Sequence, residues 1–176
     1  MYKIGKRIII FFCFNFVICF FCACNWLKSD DEINDELVEK LILAMENKDK
    51  DSFIKLFATN KANEDEDFEQ SVNELFNYYD GEYQNKLKKG QCENKDKNGE
   101  FSTTWFELSY DVTTSTEIYR IALNYCSEYS TSKDNVGIWY IYIIKKSEDV
   151  NPNYTYWGDG LATPGINIGK KYSKLE

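Results

Sequence analysis

Residues 137–144 limit the possible folds more than any other part of the chain. The run Gly137-Ile138-Trp139-Tyr140-Ile141-Tyr142-Ile143-Ile144 has no charged residue and is rich in β-branched and aromatic side chains, which favour strands. Successive side chains of a strand point to opposite faces of the sheet, and here both faces would be apolar. The sequence therefore predicts that 136–145 form a central strand that is covered on both sides.

Three segments with strand character precede this run. They are residues 82–92, 101–114 and 118–129, and Asn98-Gly99 between the first two is a strong hairpin signal. Short connections join antiparallel neighbours, so we expect an antiparallel sheet of about four strands. Residues 152–170 contain several Gly and Pro residues and are expected to form a loop with at most one short edge strand.

Helix signals come before every strand. Ser29-x-x-Glu32 is a capping box, and an apolar stripe follows it as far as Asn47. A second, short helix is predicted around Phe53, and a third from about Asn63 to Asp80-Gly81. The sequence thus predicts an α+β fold with three N-terminal helices packed on the sheet.

The N-terminus has the character of an export signal. Lys3, Lys6 and Arg7 precede an apolar run over 8–21, as in a secretory signal peptide. Phe21-Cys22-Ala23-Cys24 resembles the lipobox of bacterial lipoproteins, in which the last cysteine is acylated and becomes the mature N-terminus. The resemblance implies a signal peptide over 1–23, lipidation of Cys24, a lipidated tether over 24–29, and a single domain over 30–176.

The alternative to cleavage is that the apolar run stays as a transmembrane anchor, since its length is at the short end of the roughly 17 to 25 residues that span a bilayer. In both cases the positive N-terminus stays in the cytoplasm and the rest of the chain is exported. We therefore expect a protein held at the cell membrane on the extracytoplasmic face, with the bilayer as a partner.

Composition excludes several classes of function. The chain has 29 acidic and 21 basic residues, a net charge of -8, and no basic stripe, so nucleic acid is not an expected partner. It has no histidine, which excludes Ser-His-Asp and Cys-His catalysis and every histidine metal site. No metal site and no cofactor are predicted.

Several segments together resemble a known group of proteins. They are the lipobox, the runs 43–49 (LAMENKD), 75–81 (LFNYYDG) and 113–125, and Pro164-Gly165-Ile166. With the helix-then-strand order they resemble a family of Gram-positive bacterial lipoproteins of uncharacterised function, with the cone fold of nuclear transport factor 2-like (SnoaL-like) proteins. That fold would provide a curved sheet around a conical pocket, and it hosts isomerases, dehydratases and pure binding domains.

Two carboxylates on the second predicted strand are the candidate catalytic residues. Glu107 and Asp111 alternate with Trp105 and Ser109 on one face of that strand. A carboxylate in an apolar cavity can act as a general base without histidine, as an isomerase or dehydratase would need. The alternative is that they lie on a solvated strand face.

The candidate ligand-binding residues are Trp105, Arg120 and Trp139. Arg120 could clamp a ligand carboxylate with its planar guanidinium, or it could pair with Glu107 or Asp111 across the sheet. The two tryptophans could line a pocket, or they could belong to the core.

Two cysteines lie in the predicted exported domain. Cys92 and Cys126 could form a disulfide in that oxidising location, or they could stay unpaired.

The function expected from these features is a membrane-tethered ligand-binding or protein-interaction module. Its partner would be a small molecule, a wall component or another protein. Two other functions remain open: a carboxylate-based isomerase or dehydratase, and a structural homodimer whose second copy covers one face of the fourth strand.

Overall fold

A computed structural model of the chain describes residues 28–64, 66–149 and 165–169. It comprises two units, Met1–Val38 and Glu39–Glu176. The predicted signal peptide and Cys24 lie outside the described residues. Lipidation, cleavage and a single domain over 30–176 therefore stay predictions.

The helical region contains four helices within the described residues. They are α1 (Asp30–Glu46), α2 (Lys50–Ile54), α3 (Thr59–Glu64) and α4 (Phe68–Tyr78). The capping box forms as expected, since the Glu32 amide donates to the Ser29 hydroxyl at 3.2 Å and the Ser29 amide donates to the Glu32 carboxylate at 2.9 Å.

The prediction of three helices is wrong. Asn63, which was expected to cap the third helix, lies in the last turn of α3, and α4 begins five residues later at Phe68. The residue before α4, Asp67, makes no capping bond with its side chain. A capping pattern therefore placed one helix start where the chain has a helix end.

The sheet has five strands in the described part of the chain. They are β1 (Tyr83–Asn98), β2 (Phe101–Thr114), β3 (Ile118–Tyr129), β4 (Gly137–Lys145) and β5 (Gly165–Ile168), in that spatial order. The first four form an antiparallel meander, and β5 pairs with β4 in parallel. In the described part of the chain β1 is an edge strand, whereas β4 has a neighbour on each side.

These strands correct the predicted architecture, although the α+β class is confirmed. An antiparallel sheet of about four strands with three helices, as in the cone-shaped nuclear transport factor 2-like fold, is not what the chain forms: the sheet is mixed and has five strands. The fifth strand has only four residues, too few to show a period, and its parallel pairing depends on a long connection after β4.

The hairpin between β1 and β2 forms one residue later than expected. Asn98 pairs with Phe101, so the two-residue turn is Gly99-Glu100. Gly99 has φ +64°, which glycine adopts at no steric cost, and this is the residue required at the first turn position of a type II′ hairpin.

The two faces of the sheet have different surroundings. On the inner face, which packs on the helices from residue 39 onward, Tyr119 of β3 lies against the end of α4. Its hydroxyl donates to the Tyr78 carbonyl at 3.1 Å and accepts from the Asp80 amide at 2.8 Å. Buried apolar residues of β2 and β3 continue this face: Phe106, Leu108, Tyr110, Val112, Ile121 and Leu123. The opposite face, called the outer face below, carries the alternate side chains.

Candidate functional site

The outer face brings together every residue that the sequence suggested for binding or catalysis. Asp111 pairs with Arg120 in the β2–β3 register, and Glu107 pairs with Asn124. Trp139 of β4 packs against a small buried cluster formed by Ala122, Tyr140 and Tyr142. This face is therefore the candidate functional site.

Arg120 is held by two carboxylates instead of being open to a ligand. Its Nε lies 3.3 Å from Asp111 Oδ1, and its Nη1 lies 2.8 Å from Asp149 Oδ2. The three side chains are only 9%, 9% and 3% exposed, in that order. The remaining oxygen of Asp111 accepts from Lys146 Nζ at 3.2 Å. Two cations and two anions thus form a balanced, largely buried network.

Asp149 and Lys146 were missing from the sequence analysis as partners of this network. Both follow β4, in a turn without periodicity, and neither has a fixed position relative to β2 and β3 in the sequence. The only available signal was that a buried arginine needs an anionic side chain as its partner. The alternative in which Arg120 pairs with Asp111 across the sheet is the one that forms.

Glu107 occupies a different environment from Asp111. The two residues are four positions apart on β2, roughly 13 Å, so they do not form a carboxylate pair. Glu107 is half-buried. Burial raises the pKa of the nearby Tyr140 above its ordinary value, and the Glu107 charge adds to this effect. Between the two carboxylates, the Ser109 hydroxyl is fully buried and has no hydrogen-bond partner within the described residues.

Four aromatic side chains form a continuous row at one end of the outer face. Phe101 and Tyr129 have ring centroids 5.6 Å apart, Tyr129 and Trp105 6.4 Å, and Trp105 and Trp139 4.5 Å, and all three pairs meet edge to face. All four rings are half-buried. We call these residues the aromatic row.

Neighbouring groups hold the Trp139 end of the aromatic row in place. The Trp139 indole N–H donates to the Asn135 carbonyl at 2.8 Å. Lys61 Nζ lies 4.4 Å from the centroid of the Trp139 ring, within the range of a cation–π interaction. Since the indole is fixed by both contacts, the row presents a surface of defined shape.

Cys92 and Cys126 are both free in the structure. They lie on β1 and β3, which are separated by β2. Two strand spacings are about 10 Å, whereas Cα atoms joined by a disulfide are roughly 4.4 to 6.8 Å apart. Cys126 is buried, and burial raises the pKa of its thiol to about 11. A bond between them would therefore require a rearrangement of the sheet.

A separate cavity of about 320 Å³ opens between α1 and α2. We call it the α1–α2 groove. Its lining combines apolar and polar side chains, namely Lys40, Leu43, Ala44, Asn47, Asp49, Ser52, Lys55 and Leu56. No sequence motif pointed to it.

Among the described residues, no three Cys, Asp or Glu side chains come close enough together to hold a metal ion. Nor does any helix there have the length and apolar character needed to cross a membrane.

Comparison with known proteins identifies one family. Residues 40–146, more than half of the 176-residue chain, match a domain of unknown function, DUF5104. No curated protein matches the chain. The matched range covers the aromatic row, Asp111, Arg120 and all the residues that line the α1–α2 groove. The chain therefore belongs to the DUF5104 family.

Proposed function

We propose that this protein is a lipid-anchored, extracytoplasmic binding module of the bacterial cell surface. The anchor is Cys24, whose surroundings resemble a lipobox, as in the Gram-positive lipoproteins. The binding surface is the aromatic row. The observation that carries the proposal is the half-buried, edge-to-face series from Phe101 to Trp139, because its rings are held in place without being fully covered.

Binding is favoured over carboxylate catalysis by the contacts of Asp111. Both of its oxygens accept from cations of this chain, Arg120 and Lys146, so its contacts serve the sheet instead of a substrate. A base must lie within hydrogen-bond reach of the proton it removes. Glu107, the other candidate from the sequence, lies roughly 13 Å from Asp111 along β2, so these two carboxylates are too far apart to act together as base and acid.

A monomer is favoured over a structural dimer by the burial of β4. Tyr140 and Tyr142 on its outer face are 8% and 6% exposed in the single chain. A second copy is therefore not needed to cover this face, which was the reason for expecting a dimer.

The partner we propose is a neutral glycan of the cell wall. Sugar rings have an apolar C–H face that matches an aromatic ring, and hydroxyls that need polar neighbours. Beside the Trp139 end of the row, the Asn60 side-chain amide donates to the Asn135 side-chain oxygen at 2.9 Å. A net charge of -8 disfavours anionic polymers. The row and this flanking amide pair suit a neutral sugar chain.

The anchor is tested by labelling cells with radioactive palmitate. The wild-type chain should carry label and sediment with membranes, and Cys24→Ser should lose the label, with Cys22→Ser as the matched control that keeps it. Equal labelling of Cys24→Ser, or recovery of wild-type protein in the cytoplasm, would contradict the anchor.

Glycan binding is tested by titrating the full-length chain with soluble N-acetylglucosamine oligomers and following tryptophan fluorescence. Trp105→Leu should weaken binding by about 3- to 10-fold, the change expected when one aromatic contact is lost. Trp105→Tyr, which keeps a ring, should retain most of the affinity. If Trp105→Leu binds as tightly as wild type, or if wild type does not bind, the aromatic row is not a glycan site.

A further inference from the structure

The α1–α2 groove has the features of a second, independent binding site. We propose that it takes a small organic anion, a molecule with one negatively charged group on an apolar body. This proposal does not rest on the glycan proposal, because the groove shares no residue with the aromatic row.

The shape of the groove suits a small ligand. Its volume of about 320 Å³ is at the low end of the range of roughly 300 to 1,000 Å³ for small-molecule pockets. Leu43, Ala44 and Leu56 provide apolar surface, and Leu43 is 57% exposed. A large apolar side chain this exposed would be covered by the apolar body of a ligand. A diacyl lipid would be far too large for the groove.

The charges in the groove favour an anion. Lys40 and Lys55 line it, and neither forms an ion pair within the described residues. The one acidic side chain is Asp49, whose carboxylate accepts from the Ser52 amide at 3.1 Å. Hydrogen bonds from Ser52, with a smaller contribution from the Lys55 charge, hold the pKa of Asp49 below its ordinary value. Two positive charges face one negative charge, so a monoanion would balance the groove.

The turn between the two helices fixes the position of these groups. The Asp49 amide donates to the Ala44 carbonyl at 2.9 Å, and the Asn47 side-chain amide donates to the Leu43 carbonyl at 3.0 Å. Lys48 between them has φ +52°, a conformation that non-glycine residues rarely adopt. Since these contacts hold the turn, the backbone there would pay little ordering cost when a ligand binds.

The test compares three probes that share parts of the same molecule. Phenylacetate has the apolar body and the negative charge, phenethylammonium has the same body with a positive charge, and acetate has the charge alone. Equilibrium dialysis would use the full-length chain in a zwitterionic detergent, with a detergent blank. Phenylacetate should bind saturably and the other two should bind at least about fivefold more weakly, because each lacks one of the two interactions.

Variants at exposed positions locate the site. Lys55→Gln should weaken phenylacetate binding about fivefold, and Lys55→Glu should reverse the preference toward phenethylammonium. Lys133→Gln, at an exposed lysine of the sheet end, is the matched control and should bind as wild type does. Circular dichroism verifies that each variant is folded.

Three outcomes would overturn the proposal: no saturable binding of phenylacetate, equal binding of phenylacetate and phenethylammonium, or an unchanged preference in Lys55→Glu. None of these results depends on Trp105 or on the oligomers of N-acetylglucosamine. The glycan proposal and the organic-anion proposal can therefore fail independently of each other.

Discussion

Replacing Arg120 by methionine should destabilise the fold strongly. Methionine keeps much of the side-chain length but removes the cation between Asp111 and Asp149, whose side chains are 9% and 3% exposed. Removing one partner of a buried ion pair costs about 3 to 5 kcal/mol, because the other charge stays in a poorly hydrated place. For a domain whose total stability is about 5 to 15 kcal/mol, this is a large fraction.

The two cations of the network should differ in their effect. Lys146 is 41% exposed, so water already screens its contact with Asp111. Lys146→Met should therefore cost no more than about 1 kcal/mol, as for an exposed ion pair. Lys133→Met, at an exposed site outside the network, should stay within about 0.5 kcal/mol of wild type.

Urea unfolding followed by circular dichroism measures these differences. With a dependence of about 2 kcal/mol per molar urea, a loss of about 4 kcal/mol lowers the unfolding midpoint by about 2 M. A double-mutant cycle of Arg120→Met with Asp111→Asn should show a coupling of about 1 to 3 kcal/mol. A midpoint shift below about 0.5 M for Arg120→Met, or a coupling near zero, would refute the reasoning that this network is buried and structural.

Three further predictions concern the helix end, the turns and the thiols. Tyr79→Phe should be neutral or stabilising, since the buried Tyr79 hydroxyl has no hydrogen-bond partner within the described residues. Tyr119→Phe should lower the free energy of unfolding in urea by about 1 to 3 kcal/mol, because it removes two hydrogen bonds. A larger loss for Tyr79→Phe than for Tyr119→Phe would contradict this. Gly137→Ala should destabilise more than Gly99→Ala in thermal unfolding, since a Cβ at Gly137 would lie 2.5 Å from the Ala58 backbone nitrogen while Gly99 faces open space; equal melting temperatures would contradict it. Iodoacetamide at pH 8 should label the exposed Cys92 of β1 and leave Cys126 unlabelled in peptide mapping. Burial raises the pKa of Cys126 to about 11, and only the thiolate reacts. Rapid labelling of both cysteines would contradict this and would show that β3 opens.

Local signals in the sequence predicted the first helix and two of the strands well. β2 (Phe101–Thr114) and β3 (Ile118–Tyr129) have the predicted bounds, and α1 begins after its capping box. These elements depend on periodicity, β-branched residues and cap chemistry, all of which lie within a few residues of each other. The α+β class followed from them.

The features that were missed depend on contacts between distant residues. The short strand that the sequence allowed within 152–170 is β5 (Gly165–Ile168), but its parallel pairing with β4 was not predicted, and Asp149 becomes a partner of Arg120 only because the chain turns back after β4. The α1–α2 groove likewise depends on how two helices meet. A single sequence contains no local signal for any of these, so the candidate residues were found but their partners were not.

The long edge strand β1 has a consequence for contacts between neighbouring copies of the chain. Its sixteen residues include five lysines at positions 86, 88, 89, 95 and 97, against only two acids. A neighbouring copy that tried to add its own β1 to this edge would bring rows of like charge together, which opposes runaway sheet growth. Under the proposed lipid anchor, many such molecules could therefore stand side by side on one bilayer without forming fibrils.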